Sequence, residues 1–179
     1  MRQKKTLEAE KPSMRVAGAR FAFAMLALSL LCICAVAEDK ESANYWYDKS
    51  VEQYNNGSLE ESLQAVDKAI ELDPENATLW AYKASSLNLA GVITQNQSRF
   101  DESIQAYDKA IELDPENTTY LLWKGYTFRQ AAYGLQGEER TSAFNEAIAT
   151  FDRALEIDPE YGEAWAGKGV IYDDLAMFN

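Results

Sequence analysis

The sequence predicts an all-α chain in which helix–turn–helix units stack into a solenoid. A ten-residue segment, DKAIELDPEN, occurs at residues 67–76 and again at residues 108–117, and it returns as DRALEIDPEY at residues 152–161. Each copy places apolar residues at helical spacing and then stops at Asp-Pro, as a helix followed by a turn does. Three copies in one short chain indicate an internal repeat, and such repeats bury their apolar faces by stacking.

The N-terminal segment, residues 1–37, is typical of a secretory signal peptide. Residues 21–37 read FAFAMLALSLLCICAVA, with Arg15 and Arg20 before them and Ala-Val-Ala at the end. A charged region, an apolar run and a small-residue cleavage site predict a cut between Ala37 and Glu38. The alternative is an uncleaved membrane anchor over residues 21–37, near the lower limit of roughly 17 residues for a span. Both interpretations place residues 38–179 outside the cytoplasm, either secreted or in the cell envelope. Neither decides whether the protein starts at Met1 or at Met14.

Residues 38–179 divide into repeated units, and the position of Pro74 sets the end of the first one. Trp46 begins an amphipathic stretch, Gly57 breaks it, and residues 59–72 form a second helix, so that the unit spans residues 43–76. A large residue early in the first helix is followed four positions later by a small one. The large residues are Trp46, Trp80, Leu121 and Trp165, and the small residues are Ser50, Ala84, Gly125 and Gly169.

This length and this register of large and small residues resemble the tetratricopeptide repeat (TPR), a helix–turn–helix unit of 34 residues. The resemblance implies a right-handed α-solenoid. Its first repeat is residues 43–76. The second is residues 77–117, with a loop insertion expected between Gly91 and Phe100. The third is residues 118–161, with an insertion between Phe128 and Ala143, where Gly134, Gln136 and Gly137 indicate a turn between lengthened helices. Residues 162–179 match only a first helix and form a half repeat or a capping helix, unless the chain is truncated there.

The composition excludes most catalytic and metal sites. The sequence contains no histidine, and both cysteines, Cys32 and Cys34, lie inside the apolar N-terminal segment. We therefore expect no enzyme activity, no metal and no cofactor. Residues 38–179 carry 11 basic and 27 acidic residues, and so acidic a body repels nucleic-acid phosphates. Membrane contact is expected only through the N-terminal segment, if that segment is not cleaved.

A lysine precedes the small residue in each first helix, at Lys49, Lys83, Lys124 and Lys168. One interpretation is a row that binds anions. The favoured interpretation is structural: each aliphatic stem packs beside a helix interface, and its ammonium group reaches water or a neighbouring carboxylate.

The resemblance implies a protein–protein interaction module that binds a peptide or helix of a partner in its concave groove. In this family, the residues one, two and five places after the large residue of the first helix face that groove. The rule selects Tyr47, Asp48, Val51, Ala81, Tyr82, Ser85, Leu122, Trp123 and Tyr126. In the alternative for the third unit, Trp123 or Tyr126 turns inward to compensate for Leu121. The acidic frame favours a basic or apolar partner.

Some relatives bind the C-terminal carboxylate of heat-shock chaperones with Lys and Asn on successive first helices. The matching positions here are Tyr47, Val51, Tyr82, Thr119 and Trp123. None carries the required residue, so we expect no binding of chaperone tails. A second hypothesis is a structural component that self-associates end to end through the open half repeat.

Four Asn-X-Ser/Thr triplets, at Asn56, Asn76, Asn96 and Asn117, fall at predicted turns. An exported protein could carry glycans there. The alternative is that turns themselves favour Asn, Gly, Ser and Thr.

Overall fold

The computed structural model describes residues 42–178, and this part of the chain consists of helices joined by short turns, with no strand. The helices are α1 (Ala43–Asn55), α2 (Leu59–Leu72), α3 (Ala77–Thr94), α4 (Gln97–Leu113), α5 (Thr118–Gly134), α6 (Gly137–Ile157) and α7 (Gly162–Phe178). None of these helices is long and apolar enough to cross a membrane. The predicted signal segment, its cleavage site and both candidate start residues lie outside the described residues.

Helices pack in consecutive pairs, α1 with α2, α3 with α4 and α5 with α6, while α7 packs on α6 and α5. The second helix of each pair also packs on the first helix of the next, and α3 contacts α5 as α5 contacts α7. Successive first helices therefore lie side by side along one face. The all-α solenoid predicted from the sequence is confirmed.

The repeated DPEN segment forms the turn between units. The amide of Asp73 ends α2 by donating to the carbonyl of Ala69 at 3.0 Å. Asn76 then caps α3: its Oδ1 accepts from the amide of Thr78 at 3.2 Å, and its Nδ2 donates to Asp73 Oδ2 at 2.9 Å. The same bonds recur at Asp114, Asn117 and Thr119. The turn thus satisfies polar groups that the helix ends leave open.

Within each pair, the small residue of the first helix lets the second helix approach closely. Ser50 Oγ donates to the carbonyl of Ser62 at 2.8 Å, and Ser103 Oγ donates to the carbonyl of Ala84 at 2.7 Å. At Gly125, a Cβ would lie only 2.5 Å from the ring of Phe151. Side chains larger than these would push the two helices apart.

Between units, the lysine of each first helix pairs with an aspartate sixteen positions earlier, on the preceding second helix. Lys83 Nζ lies 2.7 Å from Asp67 and Lys124 Nζ lies 2.6 Å from Asp108, and Lys168 pairs with Asp152 in the same way. The structural interpretation of these three lysines is therefore favoured over an anion-binding row. Such partly exposed pairs contribute little stability but orient neighbouring units.

The loop insertion predicted between Gly91 and Phe100 is wrong. The extra residues lengthen α3 and α4 instead and leave a turn of only Gln95 and Asn96. The longer helices stay in contact because Gly91 has no side chain: a Cβ there would lie 2.9 Å from the ring of Phe100. In the third unit the extra residues likewise lengthen α5 and α6 around a turn at Leu135 and Gln136.

Helix α7 is held by a buried ion pair. Asp174, only 3% exposed, accepts from Arg129 Nε at 2.6 Å and from the Tyr133 hydroxyl at 3.0 Å, both on α5. The hydrogen bond to Asp174 is the main cause of a raised Arg129 pKa, so the guanidinium stays charged. Two side chains of α5 therefore bind the carboxylate of Asp174.

Two glycines at equivalent positions provide a matched test of helix packing. We expect Gly125→Ala to lower the free energy of unfolding by about 1–3 kcal/mol, because its methyl group would overlap Phe151. Gly169→Ala should instead raise it by up to about 1 kcal/mol, because nothing lies within 4 Å and alanine favours helix. Urea denaturation measures both; equal effects would contradict the packing described here.

Candidate partner-binding groove

An open groove of about 670 Å³ lies along the first helices. Four helices contribute to its walls, and most of the lining comes from α3 and α5. The lining residues are Tyr54, Ser85, Asn88, Leu89, Tyr107, Trp123, Tyr126, Thr127 and Gln130. None of them is charged. Aromatic rings contact apolar side chains. Hydroxyl and amide groups form hydrogen bonds with uncharged polar groups of a backbone.

The floor of the groove is a buried tyrosine. Tyr107 is 2% exposed, and its hydroxyl lies 2.8 Å from Ser85 Oγ. Burial raises the pKa of Tyr107 to about 12, although the hydrogen bond with Ser85 acts in the opposite direction. The floor is therefore neutral over the physiological pH range.

The two main walls are joined by side-chain hydrogen bonds. Asn88 Nδ2 on α3 donates to Thr127 Oγ1 on α5 at 3.1 Å. The Thr127 hydroxyl donates in turn to the carbonyl of Trp123 at 2.9 Å. This chain of bonds fixes the spacing of α3 and α5, so that the groove is preformed.

Of the predicted groove residues, Ser85, Trp123 and Tyr126 line this groove. Trp123 is 51% exposed and turns outward. Tyr126 is half-buried: its ring meets Phe151 edge-on at 5.3 Å and lies 5.9 Å from the ring of Trp123. Of the two residues that the alternative turned inward, Tyr126 thus packs partly against the core and Trp123 does not. Leu121 itself is buried in the core.

The other predicted residues do not line this groove, and Leu122 is buried in the core. Tyr47 meets Tyr82 edge-on at 5.2 Å, and Tyr54 lies 6.0 Å from Tyr82, so these three rings form a cluster that adjoins the groove at Tyr54. Burial raises the pKa of Tyr82. Asp48 is exposed and Val51 is half-buried on α1.

Sequence reasoning missed six lining residues, namely Tyr54, Asn88, Leu89, Tyr107, Thr127 and Gln130. Continuing the helical spacing by one more turn could have found several of them. Tyr54 follows the predicted Val51 by three positions, and Gln130 follows the predicted Tyr126 by four. Tyr107 carried no such signal because it occupies a core position of a second helix.

The four asparagines of the sequons take two kinds of position. Asn76 and Asn117 are half-buried helix caps whose Nδ2 atoms donate to Asp73 and Asp114. Asn56 and Asn96 are exposed at turns, and Asn96 also caps α4. A role as a helix cap gives a structural reason for asparagine at three of these four positions.

Comparison with protein families identifies two repeat types. Residues 84–117 match the family model of the tetratricopeptide repeat, and residues 59–89 match that of the protein prenyltransferase alpha subunit repeat. An uncharacterized protein of Methanocaldococcus jannaschii is 41% identical over 54 residues, which cover 30% of this chain and 63% of that relative. The match thus spans less than two thirds of the relative's length.

Solved structures share the fold at low sequence identity. The first TPR domain of human RPAP3 gives a TM-score of 0.59 at 20% identity, over 78% of this chain and 95% of that one. A thermophilic TPR protein of Thermus thermophilus gives 0.62 at 13% identity, over 75% and 66%. The first TPR of Spaghetti (RPAP3), bound to the HSP90 peptide SRMEEVD, gives 0.59 at 22% identity, over 76% and 95%.

The buried floor of the groove predicts a loss of stability at alkaline pH. The Tyr107 pKa in the folded state, about 12, exceeds the ordinary value of 10.0. The contribution of neutral Tyr107 to the free energy of unfolding is therefore complete below pH 10 and is lost as the pH rises towards 12. We expect Tyr107→Phe to cost about 1 kcal/mol at pH 8, through the lost hydrogen bond. Between pH 9 and 12 the variant should lose about 2 kcal/mol less than the parent.

Urea denaturation at pH 8, 9, 10, 11 and 12 measures this difference for the parent and the variant. Parallel losses of stability in the two proteins would mean that Tyr107 does not titrate with the expected pKa.

Proposed function

We propose that this tetratricopeptide-repeat solenoid is a non-catalytic module that binds a peptide or helix of a partner protein in its groove. The observation that carries the proposal is the uncharged aromatic groove formed by successive first helices. Trp123 offers a large exposed face at its edge, and aromatic residues with few rotatable bonds are common anchors of protein interfaces.

The lining suggests what the partner presents. Since no charged side chain lines the groove, the segment inside it should be apolar, with its own polar groups met by Asn88, Gln130 and the hydroxyl groups. The acidic body around the groove favours basic residues on either side of that segment. An apolar segment with basic flanks fits both features.

The same chemistry argues against an acidic tail. The related domain of Spaghetti binds the HSP90 peptide SRMEEVD, and a second TPR domain of human RPAP3 was solved with the HSP70 peptide SGPTIEEVD. In this chain the positions of the carboxylate clamp hold Tyr47, Val51, Tyr82, Thr119 and Trp123. Without a cation in the groove, the desolvation of acidic side chains and of a free carboxylate would go uncompensated.

A catalytic role has no support in the residues. The sequence has no histidine, and the described residues contain no group of three or more Cys, Asp or Glu that could hold a metal ion. Asp174 is the one carboxylate of residues 42–178 that is buried, and it is paired with Arg129.

Binding of short peptides tests the groove directly. The probes are two fluorescein-labelled 14-residue helical peptides with the same leucines at i, i+4 and i+7, one with net charge +3 and one with net charge −3 in flanking residues, together with SRMEEVD. We expect the cationic peptide to bind most tightly and SRMEEVD not to bind. Trp123→Ala should raise the Kd of the cationic peptide at least about fivefold, the equivalent of about 1 kcal/mol, with helicity unchanged.

Trp165→Ala provides the matched control, because Trp165 is an equally exposed tryptophan on α7, outside the groove. The Trp165→Ala variant should bind the cationic peptide with the same Kd as the parent, measured at low protein concentration. The groove assignment is wrong if the parent binds none of the peptides, or if the two tryptophan variants bind alike.

We also propose that the protein is exported, on the strength of the charged, apolar and small-residue regions of residues 1–37. N-terminal sequencing of the protein from its native host should begin at Glu38. Recovery of intact residues 21–37 in the membrane fraction would favour the anchor over cleavage. Full-length chain in the cytoplasm would contradict export.

If the protein enters a glycosylating compartment, we propose Asn56 and Asn96 as the modified asparagines, since their side chains are exposed. Asn76 and Asn117 use their amides in the turns. Intact-mass measurement of native protein, with peptide mapping, gives the sites; an unmodified mass would rule out glycans.

A further inference from the structure

A second recess adjoins the groove at Gln130, and we call it the amide recess. It encloses about 440 Å³ between the C-terminal ends of α3 and α5 and the N-terminal end of α4. Its lining includes the side chains of Gln95, Gln97 and Gln130, and Gly91 and Gly134 form parts of its wall. Because Gln130 also lines the groove, a partner segment that leaves the groove along α5 enters the amide recess.

The extra residues of the second and third units build this recess. Leu89 on α3 and Gln130 on α5 are equivalent to Asn55, the last residue of α1. The residues that α3, its following turn and α5 contribute beyond Gln130 lie in 91–95 and 133–134, after those positions. First helices as short as α1 would therefore not form the recess.

The amides in the recess have no partner in the protein. Gln95, Gln97 and Gln130 form no hydrogen bond through their side chains with any group of residues 42–178. Gln97 nevertheless reaches across to α5, because its Oε1 lies 3.0 Å from the place that a Cβ of Gly134 would take. Three amides thus remain available to a ligand.

Their chemistry selects an uncharged ligand that both donates and accepts. An amide donates through its nitrogen and accepts through its oxygen, whereas a carboxylate only accepts and an ammonium group only donates. No charged side chain lines the recess, so an ion placed there would lose hydration without an opposite charge. Another amide meets both halves of each glutamine.

The walls of the recess are held in place by the fold. The ring of Phe100 fills the space over Gly91, where a Cβ would lie 2.9 Å away. The Tyr133 hydroxyl donates to Asp174 at 3.0 Å, which fixes the ring of Tyr133. A ligand therefore binds without the cost of rearranging the walls.

We infer that the amide recess binds asparagine or glutamine side chains of the same partner, next to the apolar segment that occupies the groove. This inference rests on the proposed function, because the groove holds the adjoining segment. The partner then presents an apolar stretch, a short uncharged stretch that carries amides, and basic residues beyond it.

The test extends the cationic 14-residue peptide by three residues placed between its leucines and one flank. The insert is Gln-Gln-Gln, Ala-Ala-Ala or Lys-Lys-Lys, on the N-terminal side in one set of peptides and on the C-terminal side in the other. All Kd values are measured in 500 mM NaCl, which screens the long-range attraction between lysines and the acidic protein.

In one of the two sets, the glutamine peptide should bind at least about fivefold more tightly than the alanine peptide. This gain would arise although alanine is the better helix former. The lysine peptide should bind no more tightly than the alanine peptide. It tests the attraction of a cation to the C-terminal ends of α3 and α5.

Gln97→Ala should abolish the advantage of the glutamine peptide and leave the Kd of the alanine peptide unchanged. Gln95→Gly should reduce the same advantage, and glycine suits the φ of 53° at this position. The matched control is Gln105→Ala, since Gln105 is exposed on α4 and lines neither the groove nor the recess. It should keep the full advantage. Circular dichroism and the urea midpoint check that each variant folds.

Equal binding of the glutamine and alanine peptides to the parent, in both sets, overturns the inference and leaves the groove assignment standing. Tighter binding of a lysine peptide than of its glutamine counterpart also overturns it. So does an advantage that persists in folded Gln97→Ala and Gln95→Gly. If the parent binds none of the peptides, the proposed function fails, and this inference fails with it.

Discussion

The close approach of the two helices in each unit is the contact on which the rest of the solenoid depends. Ser103 donates to the backbone carbonyl of Ala84, and Phe151 fills the space above Gly125. Distances this short are reached only because one helix carries a small residue at the crossing point. Each pair then presents a fixed surface to the next unit, and the recurrent Lys–Asp pairs orient that unit on it.

The same constraint lets the helices of the second unit grow longer. Glycine at position 91 lets α3 and α4 continue in contact past the length of the first unit, because Phe100 occupies the space that a side chain would take. Leu89 and Gln130, which line the groove, occupy positions equivalent to Asn55 at the end of α1, so the ordinary length of a first helix already reaches them. The extra residues that look like an insertion in the sequence lengthen the helices beyond the groove instead of forming a loop.

The groove is the surface that we propose for a partner. The groove is concave, aromatic and braced by the bonds from Asn88 through Thr127, which suits a single apolar segment of another protein.

The sequence by itself determined the helical class, the turns and the pairing of helices. Asp-Pro and the capping asparagine act locally, and the small residue at each crossing acts through the adjacent helix, so both leave a regular pattern. The tertiary structure alone decided where α3 and α4 end, since Gly91 and Phe100 stabilise helix in a segment rich in turn-forming residues. It also decided which aromatics line the groove: Tyr47 and Tyr82 face the predicted side, but they pack on each other, whereas buried Tyr107 reaches the groove from a second helix. Periodicity assigns a residue to a face of its own helix, and only the packing of several helices decides which faces enclose a common space.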